Sequence, residues 1–177
     1  MSKVAELHKK SSLRSAGVCV LTCSTSKFKQ IQNKQQPDDE SGDIIERLAT
    51  DAGYRIIGRS LISDSKSMIR SAVRAALTDR AVDVLIVTGG TGLSSTDVTF
   101  ESISPLLDRD IPGFGEVFRR LSYDEIGSAA IMSRAFAGTV GKKVVFCLPG
   151  SPNGVKTAME KLILPELGHI LSLARGI

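Results

Sequence analysis

Tryptophan is absent, aromatic residues make up only 5% of the 177 positions, and there are just two histidines and three cysteines. So few aromatic rings leave no stacking platform for single-stranded nucleic acid. The cysteines are odd in number and show neither a CxxC pair nor Cys/His zinc spacing, which excludes a disulfide framework and structural zinc. Cys19 and Cys23 lie in a short apolar run and read as small buried hydrophobes of a reducing compartment. His8 and His169 stand far apart, so a Ser-His-Asp or Cys-His mechanism would rest on a single ring near the C-terminus. No apolar run approaches the roughly 18 residues of a membrane span. The opening stretch MSKVAELHKKSSLRSAG also lacks the apolar segment of a secretory signal. The expectation is a soluble, cytoplasmic chain with no membrane partner.

What is present is ordinary in bulk and uneven in detail. A hydrophobic fraction of 42% with 24% charged residues matches a globular chain. The length corresponds to one domain at about 100–200 residues each. The net charge of +4 is concentrated in Lys3, Lys9, Lys10 and Arg14, and again in Lys27, Lys29 and Lys34. Residues 1–16 are expected to be a disordered basic tail and 17–177 a single domain. Nucleic acid is not an expected partner, but the charge balance permits a small polyanionic substrate.

The apolar runs alternate with helical patterns. Gly17–Cys23 reads as a strand buried on both faces. The polar segment Ser24–Glu40 has no periodicity and reads as a long loop. A helix opens at Ser41-Gly42-Asp43, with Ile44, Ile45, Leu48 and Ala49 on one face, and ends at Gly53. Arg55–Ile62 is a second strand, followed by a helix capped by Ser63 or Asp64. Val82–Val87 is a third strand, running into Thr88-Gly89-Gly90-Thr91-Gly92. Short helices are expected over Thr99–Leu107 and Pro112–Leu121, and a helical or mixed connection over Ile126–Arg134. Gly141–Leu148 is a fourth strand. Asn153 is expected to cap a closing helix, and Pro165 to start the last one. This order predicts an α/β/α three-layer fold around a mostly parallel, doubly wound sheet. Its ligand crevice would lie at the carboxyl ends of the strands.

The loops on that rim carry unusual residues. Glycine at positions 89, 90 and 92 lets backbone N–H groups approach a ligand, as a phosphate requires, although a tight turn would explain the same residues. The loop is neither a Walker A sequence nor GxGxxG. Asp64 and Asp97 fall on the same rim, with Glu101 four residues after Asp97. Carboxylates beside a phosphate loop suit Mg²⁺-assisted phosphoryl or nucleotidyl transfer, while helix capping is the alternative reading for each aspartate. Ser133-Arg134 offers a hydroxyl and a guanidinium that could clamp a phosphate or a planar heterocycle. Pro149-Gly150-Ser151-Pro152 is a turn that could line the same pocket.

Taken in order, these residues resemble the MoaB/MogA family of molybdenum cofactor biosynthesis proteins, whose catalytic members are molybdopterin adenylyltransferases. The matching pieces are Asp39–Gly42, Asp64, Thr88–Gly92, Asp97–Glu101, Ile111–Glu116, Ser133-Arg134 and Leu148–Pro152, spanning Gly17 to about Leu173. Departures are Phe100, where family members usually carry proline, and the reading Leu93-Ser-Ser-Thr96 after the glycines. The short chain looks more like MoaB than MogA.

The resemblance implies a molybdopterin-binding fold and adenylyl transfer from Mg²⁺-ATP to the terminal phosphate of molybdopterin, with loss of pyrophosphate. It implies Asp64 and Asp97 as the catalytic aspartates and metal ligands. Gly89, Gly90, Thr91 and Gly92 would cradle a substrate phosphate, and Glu101 would belong to the same site. Ser133, Arg134, Pro149, Gly150, Ser151 and Pro152 would complete the pterin side. It further implies a homo-oligomer, either a trimer or a hexamer built from two trimers, and contacts with other proteins of the pathway. The alternatives are a pterin-binding carrier of the same fold, a molybdate-insertion domain of a larger protein, and an unrelated nucleotide-binding regulator.

Overall fold

Near-uncharged apolar runs have no solvent face and must pair side by side under a layer of helices on each side. The computed structural model, which describes residues 16–176, arranges them that way. Strands β1 (Gly17–Cys23), β2 (Arg55–Ile62), β3 (Val84–Thr88), β4 (Arg109–Asp110), β5 (Phe136–Val140) and β6 (Lys143–Leu148) form one sheet in the order β2-β1-β3-β6-β5-β4. The pairs β1–β2, β1–β3 and β3–β6 are parallel, and β5 and β4 add on antiparallel. The α/β/α expectation holds. The expected tail lies outside the described residues except for Ala16, which is buried in the core.

Alternation along β3 shows the two layers. Val84 and Ile86 pack on one face with Val18, Val20, Val144 and Phe146. That face is covered by helices α2 (Glu40–Asp51), α5 (Pro112–Ile126), α6 (Pro152–Ala158) and α7 (Leu164–Arg175). Leu85 and Val87 point the other way with Leu21, Val145 and Cys147, under α3 (Lys66–Thr78) and α4 (Thr99–Ile103). β3 lies between β1 and β6, so the chain winds outward in both directions from the β1/β3 pair. The carboxyl ends of those two strands, Thr22 beside Thr88, mark the topological switch.

Several expectations are corrected. Ser24–Glu40 is not all loop, because a helix α1 (Thr25–Gln32) begins directly after β1. None of its residues is buried, which is why it leaves no periodic apolar signal. β5 is a further strand, joined to β6 by a tight hairpin at Gly141, whose φ is +57°. Ser151, not Asn153, caps α6, accepting from Gly154 N at 3.3 Å. The closing helices are continuous. One turn of π-helix over Met159–Ile163 joins α6 to α7, just before Pro165, which has no N–H for the ladder.

Candidate active site

The glycine loop is folded so that its carbonyls face protein. Gly89 N donates to Leu148 O at 3.0 Å, and the Thr88 hydroxyl donates to Pro149 O at 2.7 Å, tying the loop to the end of β6. Gly89 then turns with φ +96°, and a Cβ there would stand 2.2 Å from Cys23 O. The carbonyls of Gly89 and Gly90 accept from Thr99 Oγ1 at 2.8 Å and Thr99 N at 3.0 Å. Those of Thr91 and Gly92 accept from Arg134 N at 3.1 Å and Arg134 Nε at 2.8 Å. All four carbonyls are thus held, while the N–H groups of Gly90, Thr91 and Gly92 find no acceptor among the described residues.

Arg134 is committed to this loop rather than free to clamp a phosphate. Its Nη2 donates to Asp97 O at 2.8 Å, and its Nη1 forms an ion pair with Glu101. The guanidinium lies 5.5 Å from the Phe100 ring centroid, and Phe100 meets Phe136 edge-on at 5.0 Å. Phe100 therefore packs between the Arg134 guanidinium and the Phe136 ring. The hydrogen bond from Arg134 holds the Glu101 carboxyl below the usual range. The pair is therefore intact above the ordinary glutamate value of about 4.3, and is lost only as pH falls through the lowered one.

Neither aspartate is a helix cap. The N-caps of α3 and α4 are Ser65 and Val98, and neither makes a side-chain cap bond. Asp64 instead reaches across from the end of β2 to the start of α1. There its Oδ2 accepts from Thr25 N at 2.7 Å and Thr25 Oγ1 at 3.0 Å. Asp97 closes its own loop, with Oδ2 accepting from Ser94 N at 2.9 Å. In each case Oδ1 has no donor among the described residues. Each carboxylate also lies where a glycine has no side chain. A Cβ on Gly90 would come within 3.1 Å of Asp64 Oδ1, and one on Gly92 within 2.7 Å of Asp97 Oδ2.

These groups line one cleft of about 490 Å³ at the switch point. Of the site residues expected from the sequence, Asp64, Asp97, Gly89 to Gly92, Ser133, Pro149, Gly150 and Ser151 all line it. Glu101, Arg134 and Pro152 do not line it. The cleft also takes in Thr22, Ser24, Lys27, Ser41 and Thr88, which sequence reasoning missed. Ser41 belongs to the matched Asp39–Gly42 segment, and its hydroxyl donates to Gly150 O at 2.9 Å. Cys23 lines the cleft too, but burial pushes its thiol up to about 12, so it supplies no thiolate nucleophile near neutral pH.

Among the described residues, no group of three or more His, Cys, Asp and Glu side chains comes together as a metal cage. Two half-buried aspartates with a free oxygen each suit a Mg²⁺ ion that takes its other ligands from phosphates and water.

Fold and cleft together define an α/β protein whose candidate ligand site is a glycine loop flanked by two carboxylates at the topological switch. A family profile described as "Probable molybdopterin binding domain" matches residues 19–169, and the chain belongs to this MoaB/MogA family of molybdenum cofactor biosynthesis proteins. Molybdenum cofactor biosynthesis protein B of Bacillus cereus is 43% identical over 164 residues, covering 92% of this chain and 93% of that one. The crystal structure of the tungsten cofactor synthesizing protein MoaB from Pyrococcus furiosus superposes with a TM-score of 0.82 at 38% identity, over 91% of this chain and 98% of that one. The Mog protein of Mycobacterium ulcerans gives a TM-score of 0.81 at 27% identity, over 92% and 99% of the two chains.

Gly89→Ala tests the loop geometry, since the added methyl group meets Cys23 O in a left-handed backbone. Urea unfolding is expected to show a loss of about 1–3 kcal/mol. An unchanged midpoint would contradict the close approach.

Proposed function

We propose that this chain adenylylates molybdopterin, transferring AMP from Mg²⁺-ATP to the pterin's terminal phosphate and releasing pyrophosphate. The observation that carries this reading is the loop whose four carbonyls are anchored in protein while three N–H groups remain free, set between two carboxylates. Free N–H groups suit phosphate oxygens, and two carboxylates suit a phosphate-bound Mg²⁺. The ion would neutralise charge on the phosphates being transferred. The attacking phosphate oxygen is already anionic, so no general base is required. A cleft without histidine and with a neutral thiol is adequate to the chemistry.

Asp64 and Asp97 hold the metal-bound nucleotide, and the N–H groups of Gly90, Thr91 and Gly92 orient a substrate phosphate. Ser133 links the cleft to a second hollow of about 480 Å³ lined by Phe100, Ile131, Phe136, Arg119 and Arg134. Its aromatic faces and guanidinium planes suit a flat heterocycle, giving Arg134 a stacking role on the pterin side. A cytoplasmic location, where ATP is at hand, fits this activity. No helix among the described residues is long and apolar enough to cross a membrane.

Asp64→Asn and Asp97→Asn are each expected to lower pterin-dependent pyrophosphate release by about 100-fold or more, with pterin affinity retained. Pterin binding by the parent without any pyrophosphate release would overturn the enzyme reading in favour of a carrier.

The chain is also proposed to be a homo-oligomer, a trimer or a pair of trimers. Tyr123, Ile126, Ile131 and Met132, on α5 and the turn that follows it, are all more than half exposed. Clustered apolar side chains of this kind mark association surfaces. Sedimentation equilibrium is expected to give a multiple of three chains, and a monomer at micromolar concentration would contradict it.

A further inference from the structure

Among the described residues that line the cleft, Lys27 is the one cationic side chain, and the other charged groups are aspartates. Two arginines near the site are engaged elsewhere. Arg134 gives its donors to Gly92, Asp97 and Glu101, and Arg59 bonds Asp39, Asp43 and Glu46. Among the described residues, Lys27 is thus the one ammonium or guanidinium that lines the cleft itself, while Lys66 lines a neighbouring hollow beside Asp97.

Lys27 is poised for that contact. Its nearest anion is Asp39, with Nζ to Oδ1 at 3.8 Å, close to the limit of an ion pair, and its side chain is 32% exposed. Asp39 does not depend on it. Asp39 Oδ2 already accepts from Thr22 Oγ1 and Arg59 Nη2, both at 2.8 Å, and Oδ1 from Gly42 N at 3.3 Å. The ammonium can leave Asp39 without stranding a buried carboxylate. Its location favours the nucleotide over the pterin. Lys27 lies in the first turn of α1, two residues beyond Thr25, whose N–H and hydroxyl both hold Asp64. One turn of backbone thus carries the cation and also holds the carboxylate proposed to bind the metal.

We infer that Lys27 is the polyphosphate-binding residue of this cleft, engaging the part of ATP that departs as pyrophosphate. The inference deepens the adenylyl-transfer reading and rests on it. In that step an oxygen of the pterin phosphate forms a bond to the α-phosphorus. The bond from the α-phosphorus to the α,β-bridging oxygen breaks, and its electron pair goes to pyrophosphate. Charge grows on that leaving oxygen, and the Lys27 ammonium stabilises it as a charged hydrogen-bond donor.

The test compares the parent with Lys27→Gln and Lys27→Arg, using calorimetric binding of Mg²⁺-pyrophosphate, Mg²⁺-ATP and molybdopterin beside steady-state turnover. Lys27→Gln is expected to weaken Mg²⁺-pyrophosphate and Mg²⁺-ATP by roughly 10- to 100-fold. Molybdopterin affinity should stay within about twofold, and Lys27→Arg should restore most of the loss. If parent and Lys27→Gln bind Mg²⁺-pyrophosphate equally, the inference is wrong whether or not the parent turns over. An equal loss of pterin and nucleotide affinity also overturns it, since that would mark a structural role. If the parent binds Mg²⁺-pyrophosphate through Lys27 yet never turns over, the subsite stands and the adenylyl-transfer reading fails. A parent that binds no polyphosphate at all overturns both.

Discussion

The site depends on a set of hydrogen bonds that never touch the ligand, namely those that pin the carbonyls of Gly89 to Gly92. A peptide unit presents either its N–H or its C=O to a given side, so fixing the oxygen toward protein turns the donor toward the cleft. Thr99 holds the first two carbonyls and Arg134 the last two. Arg134 also reaches Asp97 O, so one side chain sets both the loop and one of its flanking carboxylates. The ion pair with Glu101 and the ring of Phe100 then fix the guanidinium itself. A buried or half-buried arginine with its donors satisfied is a rigid strut, and rigidity is what a preorganised anion site requires.

The rest of the fold delivers these parts to one place. β1 and β3 are neighbours in register, Thr22 beside Thr88, and the chain winds away from them in opposite directions. Their carboxyl ends are free of crossing connections, which is the geometric reason for a crevice there. β2 ends one strand away and contributes Asp64, β6 ends beside β3 and contributes the Pro149–Ser151 turn, and α1 starts at the lip. The Arg59 cluster works on the other side of the lip. Partial burial opposes the charge on Arg59, but hydrogen bonds to Asp39, Asp43 and Glu46 outweigh it and raise the guanidinium above its ordinary value. Asp39 is fixed by that arginine and by Thr22, and so holds the entry of α2 beside the cleft.

Much of this was legible in the sequence because the informative residues are of types that mean something locally. Continuous apolar runs gave the central strands, and glycine after a strand marked the loop. The ordered set from Asp39 to Pro152 carried the family. What stayed hidden depends on partners far along the chain. Arg134 reads as a free clamp until its contacts with Gly92, Asp97 and Glu101, all more than 30 residues away, come into view. Asp64 reads as a helix cap, yet its partner is Thr25, 39 residues earlier. Lys27 reads as part of a polar loop because α1 buries nothing and so shows no periodicity. β5 was missed because Gly138 and Thr139 interrupt a five-residue run whose strand character comes from pairing with β6.

The pinned loop and the two aspartates are proposed to form one polyphosphate site. The most direct measurement is a crystal structure of the protein with a non-hydrolysable ATP analogue and Mg²⁺. Phosphate oxygens are expected within hydrogen-bond distance of the N–H groups of Gly90, Thr91 or Gly92, with density for the ion against Asp64 and Asp97. Nucleotide found instead in the hollow around Phe100 and Phe136, with the glycine loop untouched, would contradict it.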